Sequence, residues 1–247
     1  MSRRLPTLAG IVIALAAWSM PARAALLVDL SKHLVAITAG FTGTDVLLFG
    51  AAEEAGELAV VIRGPEADLT VRRKDRILGI WVNADEMTFV RAPTFYAVAA
   101  TKPLEELAPP AVLQRHGIGL PYMRFEPSRP APASEVAEFR EGLVRSKQRE
   151  GIYAEEPVPI TFLTGRLFRA DLSFPSNVPT GTYSVEVFLI RNGEIVAAQT
   201  TPLVVSNVGV GADVMLFAHN HSIFYGLFSI VLACVAGWAA SAAFRRT

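Results

Sequence analysis

Ile223 to Phe244 is a run of 22 residues without a formal charge, and it constrains this chain more than any other feature. As an α-helix it would reach roughly 33 Å, enough to cross the ~30 Å hydrocarbon core of a bilayer. Arg245 and Arg246 follow at once, and the excess of cations on cytoplasmic loops puts that end inside the cell. Phe224, Tyr225 and Trp238 are aromatics suited to the two membrane interfaces. A buried helix of a soluble domain is the competing reading. The missing charges and the arginine pair argue against it.

The front of the chain has a shorter reach. Arg3 and Arg4 form a positive n-region, Leu5 to Trp18 a brief apolar stretch, and Ala22-Arg23-Ala24 an A-x-A cleavage site. That stretch spans only ~21 Å as helix, too little to cross a bilayer. Residues 1–24 are therefore read as a secretory signal peptide rather than a retained anchor. The two ends together predict a single-pass protein of the bacterial inner membrane, with the body in the periplasm and residues 245–247 in the cytoplasm. The lipid bilayer is its first partner. Within the anchor, Ser229, Ala233, Gly237 and Ser241 recur every fourth residue, a small-xxx-small row that lets helix backbones approach closely in lipid. The row predicts packing against another membrane helix; an anchor merely rich in small residues would look the same.

Composition matters once the ends are set aside. They hold no acidic residue, which leaves residues 25–222 with 18 basic and 23 acidic side chains, a formal charge of −5. A mildly acidic body excludes nucleic acid as a partner, because phosphate binding needs clustered cations. The single Cys234 excludes an intramolecular disulfide and Cys-rich zinc or iron–sulfur sites.

The body predicts a mainly β fold: one or two immunoglobulin-like antiparallel sandwiches with a short helical insert. In a first β half, 25–102, the runs Leu26–Leu30, Leu34–Thr38, Asp45–Gly50, Leu58–Arg63, Leu69–Val71, Ile77–Val82 and Phe95–Ala99 read as strands between turn residues. A second half, 158–206, offers Ile160–Leu163, Leu167–Phe174, Thr182–Arg191 and Glu194–Val205, with Asn192-Gly193 as a hairpin turn. Pro179-Thr180-Gly181 before Tyr183 resembles the approach to a late strand of immunoglobulin-like sandwiches. Four strands make a thin core, so pairing of the second half with the first is the alternative to two domains. Between them, 103–157 is a proline-rich connector. It holds a brief helix from Pro110 to Gly117 and a longer one capped by Ser134 and stopped by Gly151, with Val136, Phe139, Leu143 and Val144 on its apolar face. Residues 207–222 form a juxtamembrane linker before the 223–244 span.

Signals of chemistry are sparse. No G-x-S-x-G elbow, H-E-x-x-H pair, Walker loop or G-x-G-x-x-G fingerprint occurs, so no catalytic residue and no cofactor is assigned. On an extended strand Arg72, Lys74 and Arg76 point one way and repel at ~6.6 Å steps unless acidic neighbours or an anion compensate. They form a candidate anion or acidic-lipid contact, or else a solvated hairpin end. His219 and His221, on one face if extended, are candidate ligands for a divalent metal with a third group such as Asp213, or simply wet juxtamembrane residues. His33 and His116 read as surface or helix-end residues.

Several runs resemble a known family. Asp29 to Asp45 (DLSKHLVAITAGFTGTD), Val61 to Pro65 (VIRGP), Arg72 to Asn83 (RRKDRILGIWVN), Pro93 to Ala99 (PTFYAVA) and Gly181 to Val187 (GTYSVEV) look like the alphaproteobacterial putative transmembrane protein family. The likeness covers nearly the whole mature chain and its single C-terminal anchor. The resemblance implies an exported single-span protein of no known activity. It also implies a partner, a permease of the sulfite-exporter type, for the small-residue row, and a sulfur oxyanion as the anion near Arg72. The expected role is a non-enzymatic accessory or interaction module; the alternative is a periplasmic protein that binds a ligand through Arg72, Lys74 and Arg76 or a metal through His219 and His221.

Overall fold

The structure, a computed structural model, describes residues 26–77, 79–209 and 217–244. The signal-peptide reading of 1–24, Asp213 and the terminal arginine pair lie outside the described residues. Within them the protein is mainly β, with three sheets, a few helices and one C-terminal apolar helix.

Thirteen strands are described: β1 (Leu26–Leu30), β2 (Leu34–Ile37), β3 (Gly43–Ala52), β4 (Glu57–Arg63), β5 (Glu66–Ile77), β6 (Ile80–Pro93), β7 (Tyr96–Ala100), β8 (Glu126–Pro127), β9 (Val158–Pro159), β10 (Thr161–Phe162), β11 (Leu167–Pro175), β12 (Gly181–Arg191) and β13 (Glu194–Asn207). The helices are α1 (Leu104–Leu107), α2 (Pro110–His116), α3 (Ala133–Arg149) and α4 (Ser222–Phe244), with a 3₁₀ turn at Leu120–Tyr122. One sheet has the order β1-β3-β11-β10, a second β2-β13-β12-β4-β7-β9, and a third β5-β6-β8.

The β segments on either side of the connector interleave. β11 lies antiparallel to β3 from Leu167↔Ala51 to Pro175↔Gly43, and β12 lies antiparallel to β4. The first two sheets consequently feed one core. β11 alternates cleanly, with Phe168, Ala170, Leu172 and Phe174 buried and the residues between them exposed. That period of two is what a strand covered on one face requires. Phe174 stacks on Phe95 and meets Tyr183 of the other sheet edge-on. Where Phe168 crosses β3 the residue is Gly50; a β carbon there would lie 2.5 Å from both the Phe168 ring and the Leu27 carbonyl. Only glycine allows this approach.

β4 and β7 bury every residue from Leu58 to Ile62 and from Tyr96 to Ala100. A continuous apolar run of this kind needs cover on both faces. The connector supplies the second cover, since Leu104, Leu107, Leu113 and Ile118 belong to the same core. Its path is fixed by backbone geometry. Pro110 opens α2, and Gly117 closes it in the left-handed region at φ 61°.

Three expected elements change. Ile77–Val82 is not one strand, since β5 ends at Ile77 and β6 begins at Ile80, and the two pair antiparallel. Ile160–Leu163 is not one strand either. The chain crosses between sheets there, β9 running parallel to β7 and β10 antiparallel to β11, with Ile160 buried at the crossing. Pro157 and Pro159 lack the N–H groups that a continuous strand would offer. The expected Ser134 cap is also displaced. α3 begins at Ala133 behind Pro132, whose carbonyl accepts the Val136 N–H at 3.0 Å, and no side chain caps it. Gly151 stops the helix as expected, at φ 70°.

The third sheet forms a lobe. β5 and β6 pair from Glu66↔Pro93 to Ile77↔Ile80 as one long hairpin. Near its base Met87, Phe89 and Ala92 bury against Phe139 and Leu143 of α3 in a second, smaller core. The expected apolar face of α3 is thus used on the hairpin. The Asn192-Gly193 turn has φ 52° and 78° and joins β12 to β13, as a type I′ turn demands.

Candidate functional site

The cation run lies on β5, towards the free end of the hairpin, and every residue from Arg72 to Arg76 is exposed. Cross-strand neighbours neutralise part of it. Arg72 meets Glu86 at 3.0 Å, and Arg73 meets Asp85 at 3.3 Å and Glu138 of α3 at 3.2 Å. The Arg73 guanidinium also lies 5.6 Å from the Phe139 ring, joining the hairpin to its helix. The Lys74 and Arg76 side chains meet no carboxylate among the described residues, although the Arg76 backbone N–H donates to the Asp75 carboxylate at 2.7 Å. The Arg76 Nε donates instead to the Gly79 carbonyl at 3.2 Å. Beside them Ile80 and Trp81 are 68% and 66% exposed. The hairpin end thus pairs unshielded cations with a large apolar surface. Sequence reading saw the cations but gave no sign that Ile80 and Trp81, inside the expected strand Ile77–Val82, would be exposed.

His219 and His221 do not share a strand face. Phe217–Asn220 is helical, and two positions apart on a helix is about 200° around the axis. His221 instead lies between the Phe217 and Phe224 rings, at 5.5 Å and 6.4 Å. Among the described residues no group of three His, Cys, Asp or Glu side chains is placed to hold a metal.

The small residues of the anchor fall on α4, whose segment Ser222–Ser241 has a mean hydropathy of 2.0 and is long and apolar enough to cross a membrane. Ser229, Ala233, Gly237 and Ser241 are all exposed. Ser229 returns its hydroxyl to the Tyr225 carbonyl at 2.8 Å, so this position presents no unbonded donor. A row of every fourth residue winds slowly about the axis, the ridge that right-handed helix crossings use.

A hollow of about 490 Å³ lies beside β7, lined by Tyr96, Val98, Lys102, Leu104, Tyr122 and Glu155 among others. At its inner end the Tyr96 hydroxyl donates to the Gly117 carbonyl and accepts the Gly119 N–H, both at 2.7 Å. Burial pushes the Tyr96 phenol up to about 12, so it stays protonated at neutral pH. Tyr153 and Tyr183 are raised for the same reason. They donate at 2.6 Å to the carbonyls of Pro93 and Pro179, bonds that pin strand ends. At the mouth Lys102 and Glu57 pair at 2.7 Å. The hydrogen bonds from Lys102 and Thr101 hold the Glu57 carboxyl below its usual range.

Residues 25–246 match the family described as Putative transmembrane protein, and the chain belongs to that family. No curated protein matches it.

Proposed function

We propose that this family member is a single-span, non-enzymatic accessory protein. Its immunoglobulin-like body would stand on the periplasmic side of the bacterial inner membrane while α4 docks on an integral membrane partner. The observation that carries this reading is the ridge Ser229, Ala233, Gly237 and Ser241, exposed along the one helix among the described residues fit to span a bilayer. The bond from the Tyr183 hydroxyl to the Pro179 carbonyl, four residues back, supports the sandwich assignment, since a tyrosine corner of this kind recurs at that turn of such folds. The resemblance points to an anion permease of the sulfite-exporter type as the partner. The exposed Ile80 and Trp81 give the body a second contact surface, in keeping with a module that presents a β scaffold.

Gly237→Leu tests the docking. A leucine on the ridge holds helix backbones apart, so co-purification of the membrane partner should fall while the protein still inserts. Undiminished recovery of the partner would refute this role of the ridge. A second reading, ligand binding by the cation run, is favoured by Lys74 and Arg76, whose side chains lack acidic partners among the described residues. Calorimetry with sulfite and sulfate separates the two when the full chain is compared with its Lys74→Gln, Arg76→Gln variant: the second reading requires heat that this variant loses, and the accessory reading requires none that it loses.

A further inference from the structure

We infer that the cleft between the two cores binds a free, multivalent oxyanion or carboxylate, at a site separate from Arg72, Lys74 and Arg76. The cleft has a volume of about 460 Å³, in the range of small-molecule sites. Arg63, Arg91, Arg115 and Arg124 line it, against two carboxylates, Glu66 and Glu186. These arginines come from β4, β6, α2 and the segment before β8, so topology alone brings them together.

Their charges are not equivalent. Arg63 and Glu186 neutralise each other at 2.7 Å, half-buried, and Arg63 also donates to the carbonyls of His116 at 2.6 Å and Gly117 at 3.3 Å. This is a fixed wall. Arg91 meets Glu126 at 2.9 Å, but both side chains are mostly exposed, and such a pair opens at little cost. Arg115 and Arg124 meet no carboxylate among the described residues. In a segment whose net charge is −5, the cleft therefore concentrates positive charge. The guanidinium fork suits oxygens borne in pairs, which selects carboxylates, phosphates and sulfates over halides.

The backbone of Arg91 points the same way. Between Ala67↔Ala92 and Leu69↔Phe89 the register slips, setting Val90 and Arg91 opposite Asp68. Arg91 takes φ 51° there, and its N–H donates to the Asp68 carboxylate at 3.1 Å. Glycine is the unstrained residue for a left-handed bulge position. Here the bulge carries an arginine and turns it towards the cleft.

The test is isothermal titration of the detergent-solubilised full chain with inorganic phosphate, sulfate and citrate, at ionic strength held constant with sodium chloride. At least one probe should give a saturable heat. Arg115→Gln combined with Arg124→Gln should weaken it roughly tenfold or more, and Lys74→Gln combined with Arg76→Gln should leave it unchanged. Arg91→Gly should weaken binding without lowering the melting temperature, because it relieves the strained backbone; this variant decides the matter if the double variant fails to fold. Absence of saturable heat with all three probes would overturn the proposal. So would undiminished affinity in the Arg115/Arg124 and Arg91 variants, or loss confined to the Lys74/Arg76 variant, which would assign the anion to the hairpin.

Discussion

Tyr96→Phe removes one oxygen from the floor of the hollow beside β7, and the structure gives the size of the effect. The Gly119 N–H donates to that oxygen at 2.7 Å in a buried setting and has no other described partner. The Gly117 carbonyl is better placed, since Arg63 still donates to it at 3.3 Å. The cost is thus dominated by one orphaned N–H, about 1–3 kcal/mol at neutral pH. The same hydroxyl gives a second signature. Burial raises its pKa from the ordinary 10.0 to about 12, making the phenol a weaker acid in the folded protein. As pH climbs above 10 the unfolded chain loses this proton first, so stability present below pH 10 is lost progressively up to about 12. Two units correspond to at most about 2.7 kcal/mol. The wild-type protein therefore loses its advantage over Tyr96→Phe across that window, and the two stability curves converge. Chemical denaturation of the full chain in detergent from pH 7 to 12 measures both quantities. Equal stability at pH 7, or a gap that stays constant to pH 12, would refute the reasoning.

Two further outcomes follow from the lobe. Phe139→Ala empties the centre of a core of only five buried side chains and takes away the ring beneath Arg73. The transfer and cavity cost of about 3–5 kcal/mol should release α3 and the hairpin as a unit. Hydrogen exchange would then show β5, β6 and α3 losing protection, with β4 and β12 unchanged; a uniform loss across all five would contradict two separable cores. Trp81→Ala, by contrast, touches an exposed side chain and should leave stability within about 0.5 kcal/mol. If the hairpin end contacts the partner, crosslinking to it in membranes should drop, and an unaltered yield would remove Ile80 and Trp81 from the interface.

Much of the β scaffold could be read from local pattern because each legible piece carries its own signal. β1 lies at its expected bounds, β11 alternates throughout, and Asn192-Gly193 names its own turn; β12 alternates only as far as Val187, beyond which Phe188, Leu189 and Ile190 are all buried. The long hairpin was fragmented into Leu69–Val71 and Ile77–Val82 because Arg72 to Arg76 and Asn83 to Glu86 show no apolar alternation. Cross-strand ion pairs and the Thr70–Thr88 hydroxyl contact at 2.8 Å bind that stretch, and such pairings depend on a register that single-strand periodicity cannot reveal. The two helices of the connector were legible, but their place in the core was not, for a related reason. The connector's prolines mark breaks, but the burial of Leu113 and Ile118 follows from the uncovered outer face of β4 and β7, which is a tertiary demand. The cleft left still less trace. Arg63, Arg91, Arg115 and Arg124 are far apart in the chain, and nothing in residue spacing predicts a left-handed arginine at a bulge.

The unequal size of the two cores has a mechanical consequence. Among the described residues 40 are buried in the main core and five in the lobe, so the lobe is the part that opens first when stability is lowered. The cleft lies between them, with Arg91 on the lobe and Arg63 and Arg115 on the body. An anion held by both sides would favour the docked lobe by its binding free energy and by no more than that. The same hairpin ends in Ile80 and Trp81. Occupancy of the cleft would therefore bias how firmly the exposed apolar end is held on the scaffold, which couples a small ligand to the surface offered to a partner without any catalytic step.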